Sequence, residues 1–141
     1  MQYWLMKSEP SVFSITDLKN KFPNTEPWDG VRNYQARNNM RAMKLGDLAF
    51  FYHSVNEKRI VGIVKVSKEV HPDSTDTSGK WECVDFAALC DLQKPVSLDD
   101  IKGDPKLEDM VLVKNSRLSV QPVTATEWKH VCKMGGLKKA P

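Results

Sequence analysis

The chain has 141 residues, 40% hydrophobic and 28% charged, with 21 Lys and Arg against 18 Asp and Glu. That length supports one domain around one core, and the charged fraction is that of a globular chain rather than a disordered one. No apolar run approaches the ~20 residues that cross a bilayer, and Met1-Gln2-Tyr3-Trp4-Leu5-Met6-Lys7 lacks the charged-then-apolar order of a secretion signal; a soluble cytoplasmic protein with no membrane partner is expected.

The first short apolar run, Tyr3–Met6, is aromatic-rich and stopped by Glu9-Pro10, which predicts a strand ending at Lys7-Ser8. Ser14 ahead of Ile15, Leu18 and Phe22, with Asp17 in the first turn, predicts a short capped helix. Pro23 and Pro27 punctuate a loop that leads to Trp28-Asp29-Gly30. Residues 33–43 lack Gly and Pro and predict a turn or two of helix. Leu48–Tyr52 and Ile60–Val66 predict an antiparallel hairpin with a loop longer than two residues. Residues 72–79 form a loop by composition, Trp81–Leu92 predicts a long strand, and Ser97–Ile101 one helical turn closed by Gly103. Met110–Val113 and Leu118–Val120 are further short apolar runs. Thr124-Ala125-Thr126-Glu127 is a capping box ahead of Trp128, Val131 and Cys132 at helical spacing, with Gly135-Gly136 as the stop. Residues 135–141 are expected to be a flexible tail. The pattern is α+β, with five or so strands in a curled sheet or small barrel and short helices around it; a doubly wound parallel sheet is disfavoured because no regular long helices separate the strands.

Net charge is +2 over residues 1–50, −3 over 51–100 and +4 over 101–141, a weak basis for a positive face. Three cysteines, Cys83, Cys90 and Cys132, cannot all pair, and neither they nor His53, His71 and His130 fall at zinc-site spacing, so buried free thiols with no metal and no cofactor are expected. Nucleophile elbows, phosphate-cradling glycine loops and His-Glu-x-x-His pairs are absent from the sequence, which disfavours an enzyme.

The unusual segment is Trp28-Asp29-Gly30-Val31-Arg32-Asn33-Tyr34-Gln35-Ala36-Arg37-Asn38. Aromatic faces stack on bases, guanidinium groups pair with phosphates, and amides read base edges. A loop whose aromatics plug the core accounts for the same composition, and both readings stay open. Lys7-Ser8-Glu9, Tyr52-His53-Ser54 and Lys114-Asn115-Ser116-Arg117 fall at expected strand ends, where a rim forms; His53 taken singly fits a turn histidine with a satisfied ring. Trp4 and Trp81 fit core or strand-face positions better than ligand contacts.

Tyr3–Pro10 with Trp28–Asn38, then Gly46-Asp47 leading into Phe51-Tyr52-His53-Ser54, Val61–Val64 and Leu118–Val123, resemble an EVE domain from Tyr3 to about Met134. The chain is similar to the short bacterial-type members of the thymocyte nuclear protein family, in which one such domain spans the chain. The resemblance implies a PUA-like fold, a curved, mostly antiparallel barrel of five to six strands with peripheral short helices. It also implies kinship with YTH domains and a non-catalytic module that reads a modified base in DNA or RNA, with a modified cytosine in DNA favoured. By that resemblance the base pocket draws on Ser8, Glu9, Trp28, Val31, Asn33, Tyr34, His53, Ser54 and Ser119, and the phosphate contacts on Lys7, Arg32, Arg37 and Arg117. A monomer or weak dimer is expected. The rival readings are a general RNA-binding module that ignores base modification, and an enzyme using His53 or Glu9 as acid or base.

Overall fold

The computed structural model describes residues 1–21 and 23–141. Strand β1 (Tyr3–Ser8) runs parallel to β3 (Leu48–His53), and β3 pairs antiparallel with β4 (Arg59–Pro72). The turn between β3 and β4 places Val55 and Lys58 at positive φ, 70° and 51°. Strand β4 pairs with β5 (Glu82–Ser97), β5 with β2 (Thr25–Pro27), and β1 with β6 (Val120–Val123), all antiparallel. The order across the single sheet is β2-β5-β4-β3-β1-β6.

This is a mixed, six-stranded sheet with one parallel pair, and it departs from the expected barrel. Among the described residues β2 and β6 stay at opposite edges without pairing, so the sheet does not close. The physical reason lies at those edges. Strand β2 is three residues long and ends in Pro27, which has no N–H to donate onward. At the other edge α2 (Tyr34–Ala42) covers β6, where the Asn39 amide donates to the Val120 carbonyl at 2.7 Å.

The helices are short and defined by their caps. Ser14 caps α1 (Ile15–Asn20), Ser97 caps α3 (Leu98–Lys102) and Thr124 caps α5 (Ala125–Met134), each in a reciprocal box with Asp17, Asp100 or Glu127. The third apolar position of the first predicted helix, Phe22, lies outside the described residues. The apolar run at Met110 lies in α4 (Val111–Lys114), and Thr25–Pro27, assigned to a loop by its prolines, pairs as β2.

Two cores sit on opposite sides of the sheet because side chains alternate along each strand. On β3, Ala49 and Phe51 join Trp4, Trp28 and Phe86 in the first core; Leu48, Phe50 and Tyr52 join Ile63 and Trp128 in the second. The missing side chain of Gly62 on β4 makes room for Ile15 of α1. A Cβ there would meet the Ile15 side chain at 2.2 Å and the Cys90 carbonyl at 2.9 Å. Leu137 and Ala140, in the C-terminal segment, pack against the second core. No helix among the described residues is long and apolar enough to cross a membrane.

Candidate functional site

A cleft of about 340 Å³ opens where the end of β1, the turn after it, the exit from β2 and the residue before β6 meet. That is the small end of the range of ligand pockets, roughly 300–1,000 Å³. Phe13, Pro27, Trp28 and Val31 supply its apolar lining, and Lys7, Ser8, Asp29, Arg32 and Ser119 its polar groups.

Trp28 belongs both to this lining and to the core. Its backbone N–H donates to the Val84 carbonyl at 2.8 Å, and the side chain is only 8% exposed. Phe13, Phe51 and Phe86 meet the indole edge-to-face, with centroids 5.5–6.3 Å away and interplanar angles of 78–89°. Three such contacts fix the ring, yet among the described residues no other ring stacks parallel on it.

The segment after Trp28 is held by one buried carboxylate. Gly30 sits at φ 76°, a conformation that favours glycine, and its N–H donates to Asp73 at 2.9 Å. The Arg32 guanidinium donates to the same oxygen at 3.0 Å and to the Thr75 hydroxyl at 3.0 Å. The second Asp73 oxygen accepts from the Thr75 N–H and hydroxyl, at 2.7 and 2.6 Å. Burial alone would raise the Asp73 pKa; the hydrogen bonds from Thr75, Gly30 and Arg32 together outweigh it and bring the group down to about 2. Asp29, inside the cleft, is shifted the other way, by burial first and then by the nearby charges of Asp73 and Glu26.

On the opposite wall, Ser8 donates to the Phe13 carbonyl at 2.5 Å and closes the turn that carries Phe13. Lys7 is half-buried, its ammonium donates to the Ser116 carbonyl, and burial lowers its pKa. Its backbone N–H donates to the Ser119 carbonyl at 3.0 Å, which ties β1 to the segment before β6.

Beside the cleft is a second aromatic group. Tyr34, 56% exposed, stacks on Trp81 with centroids 4.9 Å apart. The Arg37 guanidinium lies 4.8 Å from the Tyr34 ring and 5.6 Å from Trp81, and Arg32 lies 5.6 Å from Trp81 on its way to Asp73. Trp81, expected at a core or strand-face position, is half-buried in this stack: β5 begins at Glu82, and Trp81 immediately precedes it.

The cleft thus gathers Lys7, Ser8, Trp28, Val31, Arg32 and Ser119 of the predicted residues, and the neighbouring stack gathers Tyr34 and Arg37. The others stand elsewhere. The Asn33 side chain caps α2 by accepting from the Ala36 N–H at 2.9 Å. His53 is buried; its Nε2 accepts from the Ile15 N–H at 3.1 Å and its Nδ1–H donates to Glu57 at 2.9 Å, so the ring anchors the start of α1. The Ser54 N–H donates to the Ser8 carbonyl at 2.9 Å. Glu9 and Arg117 are exposed and line neither feature. Asp29, Asp73 and Phe13 were missed by sequence reasoning. Only the Asp73-Ser74-Thr75 spacing carries a signal, that of an Asp side chain accepting from the backbone two residues on.

The EVE domain profile matches residues 2–134. Thymocyte nuclear protein 1 from Homo sapiens is 41% identical over 92% of this chain and 72% of its own length. A crystal structure of human THYN1 protein in complex with 5-methylcytosine-containing DNA superposes with a TM-score of 0.89 at 41% identity, covering all of both chains. The crystal structure of an Agrobacterium tumefaciens protein superposes with a TM-score of 0.95 at 56% identity, over 100% of this chain and 99% of that one. A Zygosaccharomyces rouxii YTH domain shares the fold at a TM-score of 0.58 and 21% identity, over 95% of this chain and 86% of that one.

Proposed function

The chain belongs to the EVE domain family, and from that premise we propose that it reads a modified cytosine in DNA, taken out of the stack into the cleft beside Trp28. One observation carries the reading: a tryptophan met edge-to-face by three phenylalanines, with no ring stacked parallel on it among the described residues, lines a small cleft that also holds a carboxylate and a lysine. The human relative bound to 5-methylcytosine DNA supports the choice of base.

The energetics decide what each group has to supply. Extruding a base costs a few kcal/mol. Stacking on Trp28 returns roughly 1–3 kcal/mol. Asp29 is placed to accept from an exocyclic amine such as that of cytosine, a contact worth about 1–3 kcal/mol of discrimination, and Ser8 or Ser119 adds a hydrogen bond of about 1 kcal/mol. The methyl group enters the apolar side of the cleft, formed by Phe13, Pro27 and Val31, and contributes about 0.8 kcal/mol. Lys7 holds a flanking phosphate. Arg32 is already paired to Asp73 and shapes the wall more than it neutralises a phosphate. The exposed Tyr34–Trp81 stack, with Arg37, offers a surface for the neighbouring nucleotide. None of these roles breaks a bond, so the module is a reader rather than an enzyme.

Short DNA strands carrying one 5-methylcytosine, titrated into the protein and into a Ser119→Trp variant that fills the cleft, test the reading. Binding by the first and its loss in the folded variant are expected. Equal binding by both would remove the cleft from the account and leave a general nucleic-acid surface.

A further inference from the structure

His71, Cys83 and Asp85 meet at the far end of the β4–β5 ladder. His71 and Cys83 are direct cross-strand partners, and Asp85 follows Cys83 by two residues on β5. Val84, between them, points into the first core, which puts the other two on the opposite side of the strand. One ligand atom from each of the three residues lies within 4.8 Å of the other two. His71 Nε2 is 2.7 Å from Asp85 Oδ1 and 3.8 Å from the sulfur of Cys83.

The polarity of the His71 ring is the informative feature. Its Nδ1 lies 3.2 Å from the Pro72 carbonyl and its Nε2 2.7 Å from the Asp85 carboxylate, so both ring nitrogens face acceptors. A neutral imidazole carries one hydrogen and can donate to only one of them. With Nδ1–H on the carbonyl, Nε2 and the carboxylate turn lone pairs toward one another, and a cation between them satisfies both. A backbone carbonyl on the distal nitrogen is also how metal-ligating histidines are oriented.

We propose that His71, Cys83 and Asp85 form a three-ligand site for a zinc-class divalent cation, with the fourth position open to water. Imidazole, thiolate and carboxylate are the donor set such an ion takes in tetrahedral sites. Ligands at about 2.0–2.3 Å from a tetrahedral ion stand ~3.3–3.6 Å apart. The His71–Cys83 spacing is within a few tenths of an ångström of that, and the His71–Asp85 contact has to open by ~0.6 Å. On uptake the Cys83 thiol releases its proton to solvent and the sulfur binds as thiolate. Burial, and after it the charges of Asp73, Asp85 and Asp29, pushes the Cys83 thiol up to about 12, so the ion has to displace a firmly held proton; the same carboxylates favour a cation there, and Lys68 opposes it.

Spacing concealed this site in the sequence, because its ligands lie on two strands of a hairpin rather than in a close pair. The location gives the ion a structural role. Pro27 pairs with Asp85, and Asp73, two residues past His71, holds Gly30 and Arg32. An ion here clasps the base of the loop that shapes one wall of the cleft. The site stands whether or not the cleft reads a base.

Cobalt(II) titrated into the metal-free protein is the test, since a tetrahedral site with one thiolate gives a sulfur-to-cobalt charge-transfer band and intense visible bands. The expected result is saturation at one equivalent, displacement by zinc, and at least roughly tenfold weaker binding in His71→Gln and Asp85→Asn. The thiolate band should vanish in Cys83→Ser and persist in Cys90→Ser and Cys132→Ser. If Cys83→Ser fails to fold, the histidine and aspartate variants give the same decision. Absence of a thiolate band, or a band insensitive to His71→Gln, would overturn the proposal. So would a nitrogen NMR spectrum of His71 that shows an imidazolium at neutral pH, unaltered by zinc.

Discussion

Two tryptophans, one in each core, show how differently the same residue is used. Trp128 on α5 is fully buried and sandwiched between Tyr3 and Phe50, with centroids 4.6 and 4.0 Å away and rings nearly parallel. Two rings stack on it and no part of it reaches solvent, so Trp128 is closed to a ligand even though its indole Nε1 has no hydrogen-bond partner among the described residues. Trp28 is also almost buried, yet among the described residues its ring neighbours meet it edge-to-face, and it borders a cleft. On the reading proposed for the cleft, burial alone does not separate a packing aromatic from a recognition aromatic, and the geometry of its neighbours does.

The largest effect should come from the packing member. Trp128→Ala should cost ~3–5 kcal/mol of stability, measured by denaturant unfolding, while Trp28→Phe should stay folded and lose most of the affinity for a modified base. If Trp28→Phe binds as the original does, the indole is packing only and the distinction fails.

Next come the two carboxylates beside Trp28, which act in opposite ways. Asp29→Asn should keep the fold and lose about 1–3 kcal/mol of preference for cytosine over thymine, read by competition titration. Asp73 should act through stability. Its folded pKa of about 2 lies below its ordinary value of 3.8, so its contribution, about 2 kcal/mol, is fully present above pH 4 and is lost as pH falls from about 4 to about 2. In Asp73→Asn that part of the acid dependence of unfolding should disappear; an unchanged acid limb would mean that Asp73 does not hold the wall.

The smallest effect belongs to the exposed stack. Tyr34→Ala should leave stability within about 0.5 kcal/mol and weaken a trinucleotide by about 1 kcal/mol, with less effect on a mononucleotide. Equal losses for the two ligands would place Tyr34 with the base rather than its neighbour.

The sequence carried the elements better than the site. Capping boxes at Ser14 and Thr124 and the apolar runs of β1, β3, β4 and β5 are local, and local signals survive into the fold. Closure of the sheet depends on which edges meet; Pro27 is legible as an edge signal, but that Thr25–Pro27 pairs at all, and that α2 covers Val120–Val123, are set by contacts distant in sequence. The Trp28–Asn38 segment, whose composition fits both a recognition surface and a core plug, divides: Trp28–Arg32 lines the cleft, Asn33 caps a helix, and Tyr34 with Arg37 turns to Trp81. Asn and His are also what caps and anchors use, so Asn33 and His53 carry no signal that separates structure from recognition. Asp73 and Trp81 came into place through the long β4–β5 ladder, at more than 40 residues from the groups they hold.

Calorimetric titration of two short single strands, identical except for one methyl group on the central cytosine, measures the central claim most directly. At one salt concentration the methylated strand should bind about fourfold more tightly, the ratio that ~0.8 kcal/mol of apolar burial gives, and Trp28→Phe should abolish the difference. Equal affinities for the two strands, or a difference that survives Trp28→Phe, would contradict the account.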